Sequence, residues 1–327
     1  MELQFLGTGA GVPSKMRNVT SIALKLLDEI NEVWLFDCGE ATQQQILNTN
    51  IRPGKIKKIF ITHMHGDHIF GLPGLLTSRS FQGGEDDLTL YGPKGIKNFI
   101  DTTIQASCSK LGYPLKVVEF EKEGLLFDDK HFKVELKRLE HGIPSYGFRI
   151  TEKDQPGELQ ADRLKELGIP FGPLYGKLKK GETITLEDGT VVNGQDYISP
   201  DIKGRVVTIC GDTRKCEASE ILAYRSDVLV HEATYEGDKG QQAYRHFHST
   251  SLQAAEVAKN AEVKRLLLTH ISARYIGKQS QELESEAKTI FENVQVVKDF
   301  DIVSVERIKH HEGCYMVFKS SGSCDGS

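Results

Sequence analysis

Between Thr62 and His68 the chain reads THMHGDH, directly after the apolar run KIFI. Three histidines and one aspartate fall within six positions, in a chain holding only 11 histidines among 327 residues. Imidazole and carboxylate are typical ligands of Zn²⁺ and related cations, so the cluster points to metal chemistry. His63 and His65 stand two apart and would share a face of an extended segment. A loop just after a strand can turn both toward one ion while Asp67 and His68 reach a second. Gly66 is expected to permit that turn.

Two closed sites need more ligands, and a recurring pattern nominates them. Apolar, strand-like runs end in a metal-competent or acid–base residue: VELKRLE before His141, VVTICG before Asp212, DVLV before His231 and RLLLT before His270. In α/β architectures functional residues gather where strands end, so these tips are expected to meet in one crevice. A pair of metal ions there can activate water and stabilise charge in an in-line displacement. Such chemistry suits phosphodiesters, β-lactams and thioesters alike, so the cluster implies hydrolysis without fixing the substrate.

Positioning these residues requires alternating strands and helices. Strands are expected at 3–6, 21–27, 33–37, 58–62, 88–91, 132–139, 205–210, 227–230 and 265–269. Helices are expected at 41–48, 94–107, 251–261 and 280–291, the last with Leu283, Ala287 and Ile290 at helical spacing. The mixture indicates an α/β class. One stretch breaks the pattern: 152–200 is polar and turn-rich, carries GIPFGPLYGKLKKGE, and has few core-forming runs, as a surface excursion or hairpin between two core strands would. The closing SSGSCDGS reads as a disordered tail. Net charge is −5, so any nucleic-acid binding must use a local basic patch. No apolar run approaches the ~20 residues of a membrane span. MELQFLGTGAG has no leader-like core, and the six scattered cysteines form no CxxC pair, so a reducing cytoplasm is the expected location.

The HxHxDH cluster, the distant His, the GDT aspartate (211–213) and the histidine of LTHIS (268–272) together resemble the metallo-β-lactamase superfamily. That resemblance implies a four-layer αβ/βα sandwich with two Zn²⁺ per subunit at one edge. It also implies that His63, His65 and His141 hold the first ion, that Asp67, His68 and His270 hold the second, and that Asp212 bridges them. Further motifs narrow the match. PSKMRN (13–18), HEAT (231–234), HST (248–250) and the lysine-bearing insertion resemble the short bacterial form of the ribonuclease Z family, endonucleases that remove 3′ trailers from precursor tRNA.

Read this way, residues 1–306 form the catalytic domain, interrupted at 152–200 by a tRNA-binding arm and followed by a tail at 307–327. Asp67 would also accept a proton from the nucleophile. His248 could protonate the leaving 3′ oxygen, with Glu232 orienting it and His231 supporting the network. Lys15, Arg17 and Asn18 of the first loop, Arg274, and the arm-tip lysines Lys177, Lys179 and Lys180 would contact RNA, chiefly its phosphates. The family resemblance further implies a homodimer. Two rivals use the same residues. One is a hydrolase of a small phosphodiester or thioester, with no use for the arm. The other is a non-catalytic RNA-binding zinc protein, against which the His/Asp ligands speak, because structural zinc sites favour cysteine. His131, His246, His310 and His311 have no expected role.

Overall fold

The computed structural model describes residues 1–307. Two seven-stranded sheets form the centre. In the first, strands run in the order Ile302–Ser304, Glu2–Gly7, Ser21–Leu26, Glu32–Phe36, Ile56–Phe60, Leu88–Pro93 and Leu115–Phe120. In the second the order is Val294–Val296, Leu266–Thr269, Val228–Glu232, Val206–Cys210, Ser145–Glu152, Phe132–Leu139 and Gly124–Asp128. All nine expected strands are present, with ends shifted by a residue or two.

The sheets bury one shared core. Phe5, Leu24, Trp34 and Phe60 of the first sheet pack with Phe132, Phe148, Val207 and Leu267 of the second. The outer face of the first sheet is covered by helices Thr42–Leu47, Leu72–Arg79 and Ile96–Ala106 through Ile46, Leu75, Leu76, Ile96 and Ile100. Helices Glu217–Ala223, Ser251–Asn260 and Lys278–Lys288 cover the second through Ala223, Ala254, Val257, Ala258, Leu283 and Ala287. Each helix must bury its apolar stripe somewhere, and the sheet faces provide the place. The result is the four-layer αβ/βα sandwich. The Ser251–Asn260 helix begins at a full capping box, with Thr250 and Gln253 each closing on the other's backbone.

Strand direction places the site. Val206–Cys210, Val228–Glu232 and Leu266–Thr269 are mutually parallel, as are Glu32–Phe36, Ile56–Phe60 and Leu88–Pro93 in the other sheet. Their C-terminal ends carry the chemistry-bearing residues.

The chain divides into two compact units, one of Met1–Lys153 with Gly204–Glu306 and a second over Asp154–Lys203. The second unit contains helices Ala161–Glu166 and Pro173–Lys179 and a hairpin pairing Thr183–Thr185 with Val191–Asn193. In sequence it falls between the core strands Ser145–Glu152 and Val206–Cys210, as expected, but it is richer in core residues than its polar composition suggests. Leu164, Ile169, Tyr175, Leu178, Ile184 and Val192 form a core of their own, so the segment is a miniature folded unit. Its apolar residues are spread over two short helices and a hairpin, and no single run reveals them. The expectation of a disordered C-terminal tail falls on 308–327, outside the described residues. Among the described residues no helix is long and apolar enough to cross a membrane.

Candidate active site

His63 and His65 follow the Ile56–Phe60 strand, and Asp67 and His68 lie in a single helical turn, Gly66–Ile69. Gly66, expected to permit the turn, does so without a positive φ. Instead it clears space, since a Cβ there would sit 2.3 Å from the ring of Phe70. His141 follows Phe132–Leu139, Asp212 follows Val206–Cys210, and His270 follows Leu266–Thr269 with φ of 55°. A non-glycine residue in the left-handed region stores strain, which the surrounding bonds must hold.

The seven expected ligands fall into two groups, and a third cluster of Glu232, His248 and His270 adjoins them. The first contains His63, His65, His141 and Asp212; the second contains Asp67, His68, Asp212 and His270; within each, ligand atoms lie within 4.8 Å of one another. Asp212 belongs to both. Its Oδ2 is 3.6 Å from His63 Nε2, 3.5 Å from His68 Nε2 and 3.2 Å from His270 Nε2. His65 Nδ1 stands 3.1 Å from His63 Nε2 and 3.2 Å from His141 Nε2.

The opposite ring nitrogens of four of these histidines are engaged. His63 Nδ1 is 2.9 Å from Thr62 Oγ1, His68 Nδ1 is 2.8 Å from Asp37 Oδ2, His141 Nδ1 is 2.9 Å from the Phe247 carbonyl and His270 Nδ1 is 2.9 Å from Thr234 Oγ1. Anchoring one nitrogen turns the other inward with its lone pair free, the usual support of a metal-binding histidine. His68 Nε2 is buried without a hydrogen-bond partner. The chemistry of these residues therefore fits a bound metal ion.

Electrostatics tie the groups together: burial opposes the charged form of His68, but Asp212 and Asp37 outweigh it and hold its pKa well above the usual value. Burial opposes ionisation of Asp212, but His270, His68 and His63 outweigh it and hold the carboxyl far below the ordinary range. Asp67 is likewise held down against burial, by His270 and His68. Burial and the neighbouring His68 push His63 well below its usual value, leaving it neutral and ready to bind a cation.

Beside these groups sits an acid–base dyad. His248 Nδ1 donates to Glu232 Oε1 at 2.8 Å, and its ring lies 5.2 Å from that of His141 and 5.4 Å from that of His270. Burial lowers the pKa of His248, but Glu232 and then Asp212 raise it to about 9. Glu232 is buried yet well served. It accepts from the amides of Thr213 (2.8 Å) and Ser249 (3.0 Å) and from the Thr234 hydroxyl (2.7 Å). His231, the adjacent strand residue, points to the other face. Its Nδ1 donates to the Glu232 carbonyl at 2.8 Å, so its one hydrogen bond goes to the backbone of the dyad.

The remaining expected residues are dispersed. Lys15 is exposed and Asn18 half-buried; both line a cavity of about 480 Å³ with Gln281, Lys298 and Phe300. The same loop reaches the site where the Gly11 amide donates to Asp67 Oδ2 at 3.0 Å. Arg17 departs from expectation. It is 6% exposed and donates to Thr8 Oγ1, the Val297 carbonyl and Ser280 Oγ at 2.6–2.7 Å, so it pins the loop from beneath through internal bonds, although it borders the same cavity. Arg274 is exposed over the Tyr235 ring. Lys177, Lys179 and Lys180 are all exposed at the end of Pro173–Lys179 in the second unit.

Sequence reasoning missed Asp37, Thr62, Thr213 and Thr234, which hold the ligands and Glu232 from behind. Asp37 was detectable, because VWLFD ends in a carboxylate just as the nominated runs do. Backbone partners such as the Phe247 carbonyl leave no sequence trace.

The chain is 61% identical over 305 residues to ribonuclease Z of Pediococcus pentosaceus, covering 93% of this chain and 99% of that one. It is 59% identical over 307 residues to ribonuclease Z of Bacillus cereus strain AH187, covering 94% and 100%. The chain belongs to the ribonuclease Z family. As a member it is an endoribonuclease that processes the 3′ end of tRNA. The solved structure of human tRNase Z, short form, matches with a TM-score of 0.67 at 31% identity, covering 94% of this chain and all of that one. The metallo-β-lactamase-fold protein YhfI of Bacillus subtilis matches at 0.64 with 19% identity, covering 92% and 98%, a likeness of fold. A family model described as anti-Pycsar protein Apyc1 matches residues 1–155.

Proposed function

We propose that the protein cleaves precursor tRNA on the 3′ side of the acceptor stem, releasing the trailer with a 5′-phosphate and leaving a 3′-hydroxyl on the tRNA. The observation that carries this reading is the half-buried His248 on the buried Glu232, set against two adjoining ligand groups that share Asp212. His63, His65 and His141 would hold one Zn²⁺, Asp67, His68 and His270 a second, and Asp212 both. Bound there, two divalent cations supply a nucleophile at neutral pH and neutralise charge on the scissile phosphate.

The protein's own groups manage protons and position. Asp67 Oδ2, near His68, His270 and the Gly11 amide, accepts the proton that the attacking water gives up. His248 has Nδ1 committed to Glu232, so it delivers a proton from Nε2 to the departing 3′ oxygen. Lys15, Asn18 and Arg274 contact the RNA near the cut. Lys177, Lys179 and Lys180 grip phosphates without reading sequence, which suits a class of RNAs sharing one shape. The protein acts as a cytoplasmic homodimer.

The test is a 5′-labelled precursor tRNA incubated with zinc-loaded protein, its products resolved to single nucleotides with and without chelator. One chelator-sensitive cut at the acceptor-stem boundary is expected. Hydrolysis of small phosphodiesters with no cut in the tRNA would overturn the substrate assignment.

A further inference from the structure

Thr234 occupies an unusual place. It is 5% exposed, and its single hydroxyl reaches both halves of the site: 2.7 Å to Glu232 Oε2, 2.9 Å to His270 Nδ1 and 3.0 Å to the His270 carbonyl. One hydroxyl has one proton to give and two lone pairs to accept with. Both oxygens of Glu232 already accept from backbone amides, those of Thr213 and Ser249, so the carboxylate stands as an acceptor, and the carbonyl can only accept. If Thr234 gives its proton to the nearer, anionic oxygen, His270 Nδ1 must be the donor to Thr234 Oγ1. That puts a proton on Nδ1 and leaves Nε2, which lies 3.2 Å from Asp212 and 3.4 Å from Asp67, as the nitrogen that would meet a cation. The chain of bonds then runs one way, from His270 through Thr234 to Glu232, and Glu232 meets the proton of His248 on its other oxygen.

We propose that Thr234 is a positioning residue that couples the second cation site to the proton-donating dyad: its hydroxyl selects the cation-binding tautomer of His270 and fixes the Glu232 carboxylate beneath His248. This rests on the proposed roles of His270 and His248. Its geometric basis is independent of substrate. The left-handed backbone at His270 adds to the need, because a strained residue keeps its place only when several bonds hold it. The other groups facing Glu232 are the Thr213 and Ser249 amides, which cannot choose a histidine tautomer. Among the described donors to the second oxygen of Glu232, Thr234 is the one whose side chain also touches a candidate ligand.

Three measurements test it on the full chain. Thr234→Val keeps shape and removes the hydroxyl, whereas Thr234→Ser keeps the hydroxyl. Zinc competition against a chromogenic chelator should show Thr234→Val weakened about tenfold or more at one of its two sites, the size seen when a partner behind a ligand is lost. Thr234→Ser should stay within about threefold of the parent. At saturating zinc, Thr234→Val should lose kcat on precursor tRNA with KM unchanged. Nitrogen-15 spectra of the imidazoles in the zinc-loaded parent, which need no variant to fold, should show His270 protonated at Nδ1. Full zinc affinity and kcat in Thr234→Val, equal damage from valine and serine, or an unprotonated Nδ1 would each overturn the proposal. Failure of the parent to cut tRNA would instead sink the substrate reading, and the zinc and nitrogen-15 results would still decide the role of Thr234.

Discussion

At the scale of the residue, burial separates side chains that look alike in the sequence. Lys15 and Arg17 sit in one motif, and both looked suited to phosphate. The structure exposes Lys15 and sends the Arg17 guanidinium into three internal hydrogen bonds. Lys15→Ala should therefore weaken tRNA affinity with no change in melting temperature. Arg17→Ala should cost about 3 kcal/mol of stability, since charged hydrogen bonds contribute ~1.5–3 kcal/mol each and their partners would be left unpaired. Chemical denaturation and binding titrations on both variants check this; a stable Arg17→Ala with weakened binding would return Arg17 to the RNA. His248→Ala should reduce kcat by roughly 10²–10⁴, as expected for a general acid, while tRNA binding holds. Equal loss of binding and turnover would contradict the role. Glu232→Gln removes the charge that raises His248 to about 9. A donor must be protonated, so activity is present below its pKa and lost above it. The alkaline limb of kcat in Glu232→Gln should consequently move to lower pH, and an unmoved limb would detach Glu232 from His248.

At the scale of the element, legibility in the sequence followed local pattern. Strands ending in His141, Asp212 and His270 announced themselves as apolar runs stopped by a ligand, and strand pairing brought those ends together. Ser145–Glu152 was not anticipated, although Tyr146, Phe148 and Ile150 alternate as a half-buried strand should. The supporting hydroxyls of Thr62 and Thr234 and the amide of Thr213 were illegible because threonine near a strand end is unremarkable until its partner is known. The inserted unit was legible as an interruption but not as a folded body. Its ends meet, with Gln155 and Ile202 exchanging both backbone hydrogen bonds at 2.8–2.9 Å. Replacing 156–201 by an Asn-Gly turn, which suits two-residue hairpins, should leave the rest of the fold intact. The shortened protein should still hydrolyse a small phosphodiester but lose tRNA affinity. In the full protein, neutralising Lys177, Lys179 and Lys180 together should flatten the dependence of log Kd on log salt by about one unit for each RNA phosphate those lysines neutralise. Unchanged processing by the shortened protein would leave the insertion without a part in binding RNA.

At the scale of the whole molecule, two sheets converge on one edge, and the residues gathered there repel or attract according to what they bind. Without cations, Asp67 and Asp212 are held ionised by His68 and His270, so internal ion pairing substitutes for metal. Depressed carboxylates contribute stability above their unfolded pKa and lose it as pH falls through the folded value. His248, raised to about 9, contributes stability below its unfolded value near 6.5 and loses it as pH climbs through 9. Under the proposed function, cation binding would replace this arrangement. A ligand at a thousandfold excess over its Kd stabilises the native state by ~4 kcal/mol, which for a chain of this size corresponds to roughly 5–10 °C in melting temperature. Because histidine must be deprotonated to bind a cation, that gain should shrink steadily as pH drops from about 8 to about 5.5, across the range where histidine titrates. Thermal melts of chelated and zinc-loaded protein across this range read the difference directly. A gain that vanishes in acid places the cations on the histidines of the sheet edge. A gain independent of pH would mean that they bind elsewhere, and the site would have to be held together by its ion pairs alone.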